Sequence, residues 1–256
     1  MPVVTLAWQT RQGVPLLLAP LAGAVVAFTT RRGGVSGGSF ASLNLGFSTP
    51  DAAASVVENR RRALVAAGAD PLRALSLRQR HGSVVVEAAA ARGSYLDAAT
   101  SWPEGDALAT SQPGLPLVAH GADCLTAALV GARGTNLAVV HAGWRGLAAG
   151  VLEAAAERVG PGFSAAVGPG AGACCYAVGE DVAAELRARF GDDVVAGGRA
   201  DLAACAGRAL ERSGAAAVVL AGLCTICDAE RFHSHRRDGA GSGRQGVIAY
   251  LEEEGP

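Results

Sequence analysis

His81, His120 and His141 all lie beside small residues at the ends of apolar runs, and Cys124 opens another such run. In Gln79-Arg80-His81-Gly82, Ala122-Asp123-Cys124 and His141-Ala142-Gly143-Trp144, a ligand-type side chain ends or begins a strand-like segment, where loops converge. Two imidazoles and one thiolate form a zinc set of the catalytic kind. With three protein ligands zinc keeps a fourth position for water, whose pKa falls toward ~7. The three residues are dispersed, 43 and 17 positions apart, so no local zinc signature identifies them. His120, four before Cys124 and on the same face of a strand, competes for a place. Each of these residues also reads as an interior histidine or an inert buried thiol. Cys224-x-x-Cys227 reads as half of a zinc ribbon or as a redox motif, but no second C-x-x-C exists, and two small buried residues is the better reading.

The elements that must position these residues are legible in outline. Residues 24–30 have the β-branched content of a buried strand, ended by Arg31-Arg32-Gly33-Gly34, and further strand candidates cover 115–118, 125–130, 137–140, 165–167 and 217–220. Helical periodicity runs over 52–67, through Val56, Val57, Leu64 and Val65, and again over 147–159, 178–190 and 201–213, with Asp201 as an N-cap. Strands and helices alternate without a regular βαβ rhythm, which predicts an α+β fold with a mixed sheet. No linker or repeat divides the chain, so one domain over 1–256 is expected. The apolar stretch 14–28, broken by Pro15 and Pro20, is read as a loop feeding a strand rather than a leader or a membrane span.

Composition narrows the chemistry further. The 256 residues are 50% hydrophobic and 18% charged, the balance of a folded chain. A formal charge of −1 provides no electrostatic footprint for nucleic acid. All 22 basic residues are arginines, which excludes Schiff-base enzymes, P-loop NTPases and protein kinases, since each needs a lysine amine. The six cysteines, in a chain too large to need disulfide staples, are expected as reduced thiols, with a cytoplasmic location and no membrane partner.

A resemblance emerges when the motifs are taken in order. Thr29-Thr30-Arg31-Arg32-Gly33-Gly34-Val35-Ser36, Ser42-Leu43-Asn44-Leu45-Gly46, Glu58-Asn59-Arg60-Arg61, Gln79-Arg80-His81-Gly82, Gly105-Asp106-Ala107 and Ala122-Asp123-Cys124 come first. His141-Ala142-Gly143-Trp144-Arg145-Gly146, Gly168-Pro169, Cys175-Tyr176-Ala177-Val178-Gly179, Cys224-Thr225, Arg236-Arg237-Asp238 and Gly243-Arg244-Gln245 follow. Together, from about residue 27 to 250, they resemble the laccase-domain or polyphenol oxidoreductase family, also called purine nucleoside phosphorylase or peptidoglycan editing factor. Two departures stand out. Leu125-Thr126-Ala127 replaces a usual proline after the Asp-Cys pair, and Phe232-His233-Ser234-His235-Arg236-Arg237 stands where an aromatic-Ser-Tyr-Arg-Arg segment is frequent.

The resemblance implies a zinc enzyme with His81, Cys124 and His141 as ligands and an α/β/β/α sandwich in which two mixed sheets lie between helices. Its implied activities are phosphorolysis of adenosine, inosine, guanosine and methylthioadenosine, and deamination of adenosine. Purine nucleosides and inorganic phosphate would be its partners. A second implied activity is cell-wall editing, removing serine from UDP-MurNAc-serine by amide hydrolysis at the same site.

Deamination needs a proton carrier beside the metal; Asp123 and Asp106 are candidates, and the usual deaminase H-x-E is absent. Phosphorolysis needs a cationic cradle, for which Arg60 and Arg145 come first and Arg236 next, each with a solvated surface arginine as the plainer reading. Asn44 is a candidate for sugar or base, or a turn cap. A four-copper oxidase needs more imidazoles than five histidines supply, and the single methionine is residue 1; copper in place of zinc on the same N/S donors remains compatible. Two rivals use the same residues: a cysteine hydrolase with Cys124 as nucleophile and His141 as base, and a non-catalytic module in which zinc only holds loops.

Overall fold

A computed structural model describes residues 5–253; Met1 lies outside them. The chain opens with β1 (Ala7–Arg11), β2 (Val14–Ala19) and β3 (Ala24–Thr29), followed by α1 (Ala53–Ala67). Then come β4 (Val85–Glu87), β5 (Ala107–Thr110), β6 (Leu117–Gly121), β7 (Leu125–Val130), β8 (Leu137–Ala142), α2 (Trp144–Ala149), α3 (Val151–Val159) and β9 (Ser164–Val167). The last part holds α4 (Glu180–Phe190), the short pair β10 (Val195–Ala196) and β11 (Arg199–Ala200), α5 (Leu202–Arg212), β12 (Ala217–Leu220), α6 (His235–Asp238) and β13 (Gln245–Leu251).

Two sheets are stacked between helices. One runs β1-β2-β3-β13-β6, antiparallel throughout, and the other runs β12-β9-β7-β8-β5-β4, mixed, with β12/β9 and β4/β5 parallel. The two-residue period of β7 shows why the sheets stack. Ala127 and Leu129 face the helical layer of α3, α4 and α5, while Ala128 and Val130 face Phe28, Leu117 and Val247 across the gap between the sheets. α1 covers the outer face of the antiparallel sheet with Ala63, Leu64 and Ala67 against Leu16, Val118 and Ile248. A leucine buried as Leu64 or Leu129 is contributes about 1.5–3 kcal/mol. The α/β/β/α sandwich is thus the fold of this chain. Among the described residues no helix is long and apolar enough to cross a membrane.

The local expectations hold with three corrections. Residues 14–19 form strand β2 rather than a loop: its pairing with β3 starts at Leu16 and Pro20 falls past its end, so neither missing proline N–H interrupts that ladder. The helix expected over 147–159 is two helices, α2 and α3, separated by Gly150 at φ 86°, a left-handed conformation that suits glycine. β13, which joins β3 to β6, was not among the strand candidates, and neither were β1, β4, β5, β10 and β11. Asp201 does cap α5, its side chain accepting from Ala204 N at 2.9 Å.

His233 fills a fully buried slot in the segment that departs from the family pattern, and neither ring nitrogen has a hydrogen-bond partner. Burial, with Arg31, Arg244 and Arg237 outweighing Asp238, brings its pKa from 6.5 down to about 3. The folded protein therefore holds a neutral ring, whereas the unfolded chain takes up a proton below pH 6.5, and stability falls as pH drops from 6.5 toward 3. His233→Phe is expected to remove about 2 kcal/mol of the stability otherwise lost between pH 7 and pH 5. Urea unfolding of both proteins at the two pH values checks this; an unchanged pH dependence in the variant would contradict it.

Candidate active site

Neighbouring strands bring the dispersed residues together. β7 and β8 pair with Thr126 opposite His141, so Cys124, just before β7, lies beside the end of β8. β5 pairs with β8 on the other side, and the His141 N–H donates to the Asp106 carbonyl at 2.7 Å. The Asp106 carboxylate, 1% exposed, then gathers the third residue. It accepts the backbone N–H groups of Arg80, His81 and Gly82 at 2.7–3.1 Å, wrapping the loop around itself and holding His81 at φ 63°. Asp106 also binds His141 Nδ1 at 2.9 Å, which leaves Nε2 for the site.

One ligand atom each from His81, Cys124 and His141 lies within 4.8 Å of the others, and the two imidazoles meet edge to face with centroids 4.8 Å apart. With zinc–nitrogen and zinc–sulfur bonds of ~2.0–2.3 Å, ligands of one ion stand about 3–4 Å apart, so this donor set fits zinc. Gly143 makes the approach possible: a Cβ there would fall 2.7 Å from Cys124 Sγ. Burial alone would push the Cys124 thiol up, but hydrogen bonds from His141 and His81 bring it down to about 6. Burial likewise opposes charge on His141, and its bonds to Asp106 and Cys124 prevail, raising it to about 9. Burial also works against the Asp106 carboxylate, yet the His141 and Gly82 bonds hold it below the ordinary range.

These residues open on a cavity of about 720 Å³ whose walls include Phe47, Trp102, Arg60, Arg244, His120 and His235. Arg60 is 5% exposed, with its guanidinium 4.0 Å from the centroids of both Phe47 and Tyr95, donating to the carbonyls of Leu45 and Tyr95. Arg244 donates to the carbonyls of Ser242 and Gly243. Among the described residues neither arginine has a carboxylate partner. His120, the competing ligand, is outside the cluster: burial holds it well below its usual pKa, and its Nε2 shares a 2.7 Å hydrogen bond with the Tyr95 hydroxyl, itself kept protonated by a pKa of about 12.

Several expected site residues are used elsewhere. Asn44 is fully buried and spends its amide on Thr49, Asp51, Gly46 and the Arg244 N–H, so it organises a loop instead of touching a ligand. Asp123, at φ 89°, accepts from the Thr225 hydroxyl and the Arg236 N–H, and neither it nor Asp106 lines the cavity. Arg145 is exposed and stacks on Trp144 at 4.4 Å, and Arg236 is exposed over Tyr176, donating to the Ala177 carbonyl; both lie off the cavity wall. Of the four substrate candidates only Arg60 faces the cavity. Arg244 was missed, although it stands in the Gly243-Arg244-Gln245 motif. Among the described residues the only cluster that combines imidazoles with a thiol holds two imidazoles, short of a three-copper centre.

Comparison with known proteins places the chain beside a described family and its relatives. The family described as multi-copper polyphenol oxidoreductase laccase matches residues 25–252. A protein of Pseudomonas aeruginosa named purine nucleoside phosphorylase is 39% identical over 236 residues, covering 88% of this chain and 92% of its own length. Another of that name from Deinococcus radiodurans is 38% identical over 261 residues, covering 96% and 97%. The crystal structure of YlmD from Geobacillus stearothermophilus superposes with a TM-score of 0.86 at 31% identity, covering 96% of this chain and 98% of that one.

Proposed function

Since the chain belongs to the multi-copper polyphenol oxidoreductase laccase family, whose relatives above carry the name purine nucleoside phosphorylase, we propose that it is a zinc-dependent purine nucleoside phosphorylase that also deaminates adenosine. Adenosine, inosine, guanosine and methylthioadenosine are its substrates, with inorganic phosphate. The observation that carries the phosphate half is the pair Arg60 and Arg244: two guanidiniums without carboxylate partners, on the wall of the same cavity as His81, Cys124 and His141. Desolvation of an unpaired cation is unfavourable, and a bound anion offsets it.

His81, Cys124 and His141 would hold the zinc. Bound there, it supplies Lewis acidity toward an atom brought to its open side. Arg60 and Arg244 bind phosphate oxygens, and Phe47 and Trp102 offer ring faces to the purine. A phosphate oxygen forms its bond to the sugar C1′ as the C1′–N bond breaks, and the cavity's cations hold the attacking group in line while positive charge develops on the sugar. The departing purine nitrogen takes up a proton. His235 faces the cavity with Nδ1 on the Gly239 carbonyl, leaving Nε2 to carry that proton. Asp106 acts as a positioning residue, fixing the His141 tautomer and the His81 loop.

A second reading has its own support: the lowered Cys124 thiol beside the raised His141 is the arrangement of a cysteine hydrolase, which would release serine from UDP-MurNAc-serine. Product analysis by mass spectrometry separates the two. With adenosine and phosphate, the expected products are adenine with ribose 1-phosphate, and with adenosine alone, inosine and ammonia. Release of serine from UDP-MurNAc-serine without nucleoside turnover would overturn the proposal.

A further inference from the structure

A second thiol cluster lies outside the active site. Cys174, Cys175, Cys224 and Cys227 bring their sulfur atoms within 4.8 Å of one another, with Cys227 Sγ 3.4 Å from Cys174 Sγ and 2.9 Å from Cys175 Sγ. Cys227 is exposed and Cys224 half-buried, so the pair does not consist of two buried small residues. The second pair that Cys224-x-x-Cys227 lacks along the sequence is supplied in space by the adjacent Cys174 and Cys175.

Each pair rides on its own turn. In the loop after β9, Cys175 and Tyr176 donate their N–H groups to the Gly172 carbonyl, and in the loop after β12, Asp228 N–H donates to the Cys224 carbonyl. The two loops are laced by Gly170 N–H to Leu223 and Thr225 N–H to Gly170. Gly172 N–H points at Cys224 Sγ at 3.3 Å, a donor suited to a sulfur carrying negative charge. Its lack of a side chain leaves the space, since a Cβ there would stand 3.0 Å from Cys224 Cβ and 3.3 Å from Cys174 Sγ.

We propose that Cys174, Cys175, Cys224 and Cys227 bind one zinc ion as a tetrathiolate, distinct from the ion of the active site. Four thiolates close the coordination shell, so the ion is structural and does no chemistry of its own. Binding releases the thiol protons, and the free energy of coordination adds to that of folding. The consequence reaches the active site, because the clamped loops hold Asp123: Ala171 N–H donates to its carbonyl and the Thr225 hydroxyl to its carboxylate. Asp123 precedes the ligand Cys124, so the clamp keeps the start of β7 in place.

Metal analysis of protein purified under reducing conditions from zinc-supplemented cells tests this inference. Wild-type protein is expected to carry one more zinc per chain than Cys227→Ser and than Cys174→Ser, and both variants are expected to melt at a lower temperature. This difference does not depend on whether the active-site residues hold zinc. Alkylation of the wild type provides an independent reading that does not require either variant to fold. Zinc is expected to protect these four cysteines from iodoacetamide, and a chelator to expose them. Equal zinc content in wild type and variants, equal labelling rates with and without the chelator, or iron with labile sulfide in place of zinc would each overturn the proposal.

Discussion

His81→Ala is expected to lose one zinc per chain and phosphorolysis together, by more than the ~10–100-fold that removal of an outer partner of a metal site costs. Among the described residues the imidazole is one of three donors converging on the site, and two remaining ligands cannot hold the ion in a fixed geometry. The side chain is exposed and its ring contact is the edge of His141, so the stability of the metal-free protein should change by no more than about 0.5 kcal/mol, which separates loss of function from loss of fold. The cysteine-hydrolase alternative gives a different outcome. Cys124 and His141 would form its nucleophile and base without His81, and the variant would keep partial activity. Zinc content, thermal melting and ribose 1-phosphate formation measured on one preparation decide the matter, and an active, zinc-poor His81→Ala protein would contradict the metal assignment.

Asp106→Asn should have the second largest effect, although Asp106 does not face the cavity. Its carboxylate receives three backbone N–H groups from the His81 loop and the Nδ1 proton of His141, a set of donors that two carboxylate oxygens satisfy and one amide oxygen does not. The amide NH₂ would face donors, leaving a buried N–H unpaired at about 1–3 kcal/mol of stability. Zinc affinity and activity are each expected to drop about 10–100-fold, the range typical of an outer partner. Excess zinc should recover part of the activity, which a purely global destabilisation would not allow. Chelator-competition titration measures the affinity, and an unchanged value would remove Asp106 from its positioning role.

The sequence carried the helices and about half of the strands of the sandwich, and the three candidate ligands that the fold brings together, for identifiable reasons. Uninterrupted apolar runs such as 137–140 have no place except between two covered faces, and ligand-type residues at their ends mark where loops meet. What stayed hidden depends on where a side chain points. Arg145, Arg236 and Asn44 stand in the same motifs as true cavity residues, yet Arg145 lies on Trp144, Arg236 over Tyr176, and Asn44 is consumed by four internal hydrogen bonds. Asp106 was read as a proton carrier because carboxylates often are, but encirclement by backbone N–H groups turns it into a holder of other residues. The four-cysteine cluster was illegible for a different reason: its halves lie about fifty positions apart and meet only through the pairing of β9 with β12.

Phosphorolysis of inosine by protein stripped of metal with a chelator and then given zinc back tests the central claim most directly. The expected result is no ribose 1-phosphate from the stripped protein and its recovery as zinc returns, in equal amount to hypoxanthine. Full turnover by the stripped protein would contradict the claim, and would leave Cys124 and His141 as a metal-free nucleophile and base.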